Sequence, residues 1–223
     1  MILCIETSGA VGSVALADSG GNCVLKLYSD VENAHAEQIP VLAAQCIAFA
    51  KSQGQGISAV AVNKGPGSYT GLRIGASLAK GICFGLNVPL LSCDGLEMTA
   101  RMAALSGVDA DVYICMTDAR RDEVFFAIYN ASFECKEPLA AKILSEDAWI
   151  EYRGRKVVFC GNAVSKLKQL VPAFDGYPGF TETLDASWLC ASAAKMHERR
   201  EWADVAYFEP DYGKAFFTGN LKK

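Results

Sequence analysis

The sequence predicts an α/β protein built from two copies of one β-β-β-α-β-α unit. Three observations carry this expectation. Short apolar runs of strand length recur at 2–5, 12–17, 24–28 and 58–62. Two long apolar segments of helical length, at 36–51 and from about 69 to 86, alternate with those runs. From residue 111 the same order returns in weaker form. With 223 residues, 51% of them hydrophobic and 21% charged, the chain has enough apolar surface for a packed core.

The first three runs read as antiparallel strands, the last two joined by a turn at Ser19-Gly-Gly-Asn22. The helix at 36–51 carries Pro40 near its first turn. The strand 58–62 runs into a glycine-rich turn, a helix to about residue 86, and a strand at 88–92. A linking helix is expected near 96–105. Strands at 111–117, 124–129 and 135–143 follow, then a helix at 146–152, a strand at 156–160 and a helix at 164–170. Beyond 170 the pattern thins, with Ser187 as the expected cap of a helix ending near residue 200. The duplication divides the chain into subdomains at 1–93 and 94–223.

The glycine-rich turn starts at Lys64 and contains Gly65, Gly67 and Gly71. A Walker A loop needs Gly-Lys-Ser/Thr five positions after its first glycine, and Thr70 and Leu72 stand there instead. The dinucleotide fingerprint fails by one residue of spacing. The turn therefore reads as a tight strand-to-helix connection, and Lys64 and Arg73 flank it with no carboxylate close in sequence. In the following helix, Gly71, Gly75 and Ala79 form one stripe of small residues, and Ser77, Gly81 and Gly85 a second. Each glycine costs a helix about 0.8–1 kcal/mol relative to alanine, so close packing must hold this one together. The neighbour is the protein's own sheet or adjacent helix, either alone or with a second chain on the opposite stripe.

The first helix is apolar almost all round, with Gln45 the clearly polar residue between Ile39 and Ala50. One side is expected on the sheet and the other against a partner. The two helices together predict a partner surface at Leu42, Cys46, Gly71, Gly75, Leu78, Ala79 and Ile82.

Catalytic chemistry is hard to find. Of two histidines, His35 has Ile39 at i+4 where a second helical ligand would stand, and reads as a surface or cap residue. His197 lies in a charged helix end. Ser68 lacks a G-x-S-x-G elbow. The tip Asp118-Ala-Arg-Arg-Asp-Glu123 is either a contact site or a solvated hairpin end, with Asp118 and Arg120 as candidates for contact between the halves. Nine scattered cysteines without a C-x-x-C pair read as buried hydrophobes in a reducing compartment. No apolar run reaches the length of a membrane span, and the net charge of −4 argues against a broad cationic face for nucleic acid. A cytosolic protein is expected.

Glu6-Thr-Ser-Gly9 after the first strand resembles the phosphate turn of the actin, sugar-kinase and Hsp70 superfamily, which carries Asp where Glu6 stands; Gly161-Asn162 is a weak counterpart in the second half. Over most of its length the chain resembles the TsaB/YeaZ family. The resemblance rests on Ile2-Leu-Cys-Ile-Glu-Thr-Ser8, on His35 with Glu37, on Lys64-Gly-Pro-Gly-Ser-Tyr-Thr-Gly-Leu-Arg-Ile-Gly75 and on Met116-Thr-Asp-Ala-Arg-Arg121. In the central motif Lys64, Gly65, Gly67, Ser68, Thr70 and Arg73 are the matching loop positions. The family resemblance implies an ASKHA fold of two ribonuclease-H-like halves, the second reduced. It implies a non-catalytic subunit that needs no cofactor. Such a subunit binds and activates the enzyme TsaD in threonylcarbamoylation of N6 of adenosine 37 in ANN-decoding tRNAs. It would pair with TsaD, be joined by the ATPase TsaE, form a homodimer when alone, and meet tRNA only through the complex. TsaD carries an H-x-x-x-H metal pair, of which this chain keeps one histidine. Pro210-Asp-Tyr-Gly-Lys214 departs from the family's Pro-x-Tyr-Leu-Arg ending. The alternative reading is an ASKHA enzyme that binds ATP by itself, or a glycoprotease-like metallohydrolase.

Overall fold

A computed structural model describes residues 1–174 and 176–214. The first sheet contains β1 (Ile2–Glu6), β2 (Ser13–Ala17), β3 (Cys23–Tyr28), β4 (Ala59–Asn63) and β5 (Leu90–Cys93), in the order β3-β2-β1-β4-β5. The second contains β6 (Val112–Asp118), β7 (Glu123–Asn130), β8 (Cys135–Ile143), β9 (Val157–Cys160) and β10 (Gly179–Phe180), in the order β10-β9-β6-β7-β8. Read from β8, the second order is that of the first. In both, two antiparallel pairings lead to a central strand, and two parallel pairings continue from it. The duplication legible in the sequence is therefore a duplication of topology. The second copy is reduced, since β10 has two residues.

Helices cover the sheets because their central strands are apolar on both faces. On the first sheet, α1 (His35–Ser52) and α2 (Tyr69–Leu86) pack against Leu3, Ile5, Val14, Leu16, Val60 and Val62. The opposite face carries Cys4, Ala15, Ala61 and Leu91 beneath a 3₁₀ turn, Ala186–Leu189, and α5 (Cys190–Arg199). Between the sheets runs α3 (Gly95–Leu105). Its Leu96, Ala100, Met102 and Ala103 enter the core of the second sheet, and its Met98 the core of the first. The far face of the second sheet holds α4 (Val164–Leu170) and an aromatic cluster of Phe126, Trp149, Phe159 and Phe174.

Two local expectations are corrected. The helix expected at 146–152 is only a 3₁₀ turn, Ile150–Tyr152. Trp149 takes a left-handed φ of 55°, and its 1% exposed indole packs 5.2 Å from the Phe126 ring, so burial of the large side chain wins over helix propensity. The cap expected at Ser187 is instead Asp185, whose carboxylate accepts from Ser187 N at 2.8 Å. Asp185 also accepts from Tyr28 Oη at 2.8 Å and pairs with Lys26 at 2.9 Å, which ties this C-terminal segment to edge strand β3.

Candidate functional site

Two places gather the residues singled out by the sequence. The first is the junction of the turn after β1 with the glycine loop after β4. Glu6 is fully buried and accepts from Ser8 N and from Asn63 Nδ2, each at 2.6 Å. Asn63 Oδ1 in turn accepts from Gly65 N at 2.8 Å, and Ser8 O accepts from Ser68 N at 2.8 Å. Gly65 has φ 114°, a conformation that favours glycine. Ser68 then caps α2, its Oγ accepting from Gly71 N at 3.2 Å. Lys64, without a carboxylate nearby in sequence, pairs with Asp94 at 3.0 Å, the residue that caps α3. Its charge is thus matched across the strand ends. Asp94 followed by Glu97 is a capping pattern that reveals the helix start in sequence but not the lysine.

Burial pushes the Glu6 carboxyl above its ordinary value of 4.5, against the opposing pull of its hydrogen bonds. A raised folded-state pKa contributes stability below the unfolded value and loses it as pH rises through the folded one. Glu6→Gln replaces one accepting oxygen with an NH₂ that faces Ser8 N or Asn63 Nδ2. That NH₂ stands where the protonated carboxyl carries its O–H, so the two chains are expected to match to within about 1 kcal/mol near pH 4.5, and Glu6→Gln to be the more stable at neutral pH, where the parent has lost this contribution. Urea unfolding of both chains across pH checks it; a parent that gains on Glu6→Gln as pH rises is the contrary result.

This junction borders a cleft of about 310 Å³ between the two sheets, lined by Ser8, Gly9, Asn63, Thr117, Gly161, Asn162 and Thr183 among others. The turn at Glu6 and its weak counterpart Gly161-Asn162 do meet across it. Among the described residues, the charged groups lining it are Glu32 and Glu182. Two carboxylates repel a polyphosphate, and Glu6 is turned away into its own hydrogen bonds. Asp118, at the end of β6, pairs with Lys166 of α4, and its N–H donates to Asn162 Oδ1 at 2.8 Å. Arg120 N donates to Asp118 at 2.7 Å, with Arg120 and Arg121 at φ 70° and 49° in the turn. These bonds lie within the second half. His35 is 4% exposed at the start of α1, not a surface or capping residue, and burial holds its pKa below the usual value. Ile39, at the i+4 position, is fully buried in the core.

The second place is the outer face of α1 and α2. The stripe Gly71, Gly75, Ala79 is buried, as is Cys46. A Cβ on Gly71 would run into Thr7 O, and one on Gly75 into Thr7 Oγ1. The close neighbour of this stripe is the protein's own turn after β1, which corrects the expectation that these residues face a partner. Leu42, Leu78 and Ile82 are half-buried at the edge of the same core. Outward stand Ala36, Pro40, Val41, Ala44 and Ala48 of α1, and Ser77, Gly81, Phe84 and Gly85 of α2. Val41 is 55% exposed and Phe84 88%. Between the helices lies a groove of about 500 Å³ lined by Ala36, Pro40, Tyr69, Thr70, Arg73, Ile74, Ser77 and Leu78. The Tyr69 ring stacks 4.7 Å from that of Tyr212, and the Arg73 guanidinium lies over it at 4.9 Å. Tyr212 belongs to a C-terminal strap: Lys80 Nζ donates to Ala206 O and Phe208 O, Asp211 N donates to Lys64 O at 2.6 Å, and Lys214 pairs with Glu123.

A family model described as "TsaD: tRNA N6-adenosine threonylcarbamoyltransferase" matches residues 29–207. The tRNA threonylcarbamoyladenosine biosynthesis protein TsaB of Bacillus subtilis is 32% identical over 166 residues, 71% of this chain and 70% of that protein. The chain belongs to the TsaB/YeaZ family. The Escherichia coli TsaB is 31% identical over 129 residues, 58% of this chain and 54% of its own length. YeaZ from Pseudomonas aeruginosa superposes with a TM-score of 0.78 at 22% identity, covering 95% of this chain and 98% of that one. The duplicated sheets are thus the fold of that YeaZ structure. A tRNA N6-adenosine threonylcarbamoyltransferase of Carboxydothermus hydrogenoformans is also similar, 33% identical over 110 residues but spanning only 33% of that enzyme.

Proposed function

We propose that this chain is a non-catalytic scaffold subunit in tRNA threonylcarbamoyladenosine biosynthesis. It binds a TsaD-type transferase through the outer face of α1 and α2 and holds that enzyme in its active form for modification of N6 of adenosine 37. The reading is carried by the run of small and apolar residues that two parallel-packed helices leave facing water. The cleft supports it, since its lining carboxylates disfavour a nucleotide phosphate. The same face serves for self-association when the enzyme is missing, and the TsaE-type ATPase joins after the heterodimer forms. Among the described residues no helix is long and apolar enough to cross a membrane.

Calorimetric titration of ATP with Mg²⁺ into the isolated chain is expected to give no heat of specific binding. Mixing with the same organism's TsaD-type enzyme is expected to give a stable heterodimer on gel filtration. Tight nucleotide binding with turnover by the isolated chain would favour the ATP-binding enzyme reading instead.

A further inference from the structure

The segment from Trp202 to Lys214 belongs to no helix or sheet strand, yet it is fastened to both halves of the molecule. On the first half, Ala203 N donates to Leu90 O of edge strand β5 at 2.8 Å, and Val205 and Phe208 pack against the core of the sheet. Lys80 of α2 donates to Ala206 O at 3.0 Å and to Phe208 O at 3.2 Å, and Asp211 N reaches Lys64 O. On the second half, Lys214 pairs with Glu123 at the start of β7. Two glycines make the closest approaches. A Cβ on Gly65 would run into Asp211 O, and one on Gly213 would run into the Phe125 ring; both residues take a left-handed φ, 114° and 72°. The backbone is thus pressed onto the glycine loop at one point and onto β7 two residues later. Between these two points stands Tyr212, whose ring lies on that of Tyr69 in the wall of the groove between α1 and α2.

We propose that this strap is a latch that fixes the two halves against each other and sets the mouth of that groove. Fastened at Phe125 and Glu123, it holds Tyr212 against Tyr69, over which the Arg73 guanidinium lies. Released from the second half, it frees Tyr212, and the first turn of α2 loses a neighbour that orders it. The latch opens from its Lys214 end, because the two fastenings differ in kind. The first half holds the strap by hydrogen bonds to backbone oxygens and by apolar packing. The second holds it by one ring contact and an ion pair whose lysine is 50% exposed, which salt screens. The consequence for a partner rests on the proposed scaffold role; the latch itself does not.

Hydrogen–deuterium exchange of the full chain, read by mass spectrometry, tests the latch without a partner. In Gly213→Val the new side chain meets the Phe125 ring from a left-handed backbone, so exchange over 209–213 is expected to rise about tenfold, and exchange over 69–73 to rise with it, while β1 and β4 keep their protection. Lys214→Glu sets a second carboxylate beside Glu123 and should raise exchange over both segments about two- to fivefold; adding Glu123→Lys restores an opposite pair and should return both to the parent level. Unchanged exchange over 69–73 in Gly213→Val, or no recovery in the double variant, overturns the proposal. Calorimetry with the TsaD-type enzyme then reads the groove, where Gly213→Val is expected to weaken binding about tenfold, the same conformational cost being met on docking. Parent-like affinity of Gly213→Val, beside a Val41→Glu chain that does lose affinity, also overturns it. Parent-like binding by Val41→Glu counts against the scaffold reading instead, and leaves the exchange result standing.

Discussion

Gly75→Leu is expected to destabilise this protein rather than merely to detach a partner from it. The new side chain would enter the space of Thr7, whose Oγ1 is buried and already meets the position of a bare Cβ. Overpacking of this kind costs about 3 kcal/mol, against a gain of at most about 1 kcal/mol from replacing a helical glycine, so the net change is a loss of about 2 kcal/mol or more. The same reasoning orders the neighbouring positions. At Gly71 the obstacle is a backbone carbonyl, which cannot rotate away, so even Gly71→Ala should be costly; at Gly75 the obstacle is a side chain, and alanine should cost less. At Gly81 nothing lies within 4 Å, and Gly81→Ala should stabilise the chain by about 0.5–1 kcal/mol. Urea unfolding followed by circular dichroism reads all four variants. A Gly75→Leu chain as stable as its parent but unable to bind the enzyme would return this stripe to the interface.

What could be read from the sequence, and what could not, follows from the range over which each signal acts. Strands such as 2–5 and 58–62 announce themselves by composition within a few residues, and the glycine turn by its spacing, so the duplicated topology was legible. A stripe of small residues says that something comes close without saying what. Gly71 and Gly75 meet Thr7 in a turn remote in sequence, and only the fold makes that pairing. The same distance hid the Lys64–Asp94 pair and the role of Asn63 in holding Glu6. Trp149 misled for another reason: its segment reads as helix locally, but the core beside Phe126 and Phe159 takes the indole at the expense of the helix. The small-residue helix was a sound guide to close packing and a poor one to its direction, since its two such stripes lie about a third of a turn apart.

With the inner stripe assigned to the sheet, a partner has to meet the outer residues, and the test moves to them. Val41→Glu and Gly81→Glu each place a carboxylate where the protein has open solvent, so folding stability should stay within about 0.5 kcal/mol of the parent, Gly81 needing no rearrangement at all. In a heterodimer the same carboxylate would be buried without a partner. A charge desolvated at the centre of an interface costs about 2 kcal/mol or more, a weakening of about 30-fold or greater in Kd. Ile143→Glu, 68% exposed on edge strand β8 of the other sheet, should leave binding unchanged and so separates a local effect from a general one. Calorimetry of each variant with the TsaD-type enzyme, beside its own unfolding curve, gives both quantities. Because Ala79→Glu would instead bury its charge in the core of the free chain, it should fail at folding. Only a variant that keeps its fold and loses its partner reports on the face. Normal binding by both Val41→Glu and Gly81→Glu would mean that the enzyme docks elsewhere and that the apolar outer surface of α1 and α2 has another occupant.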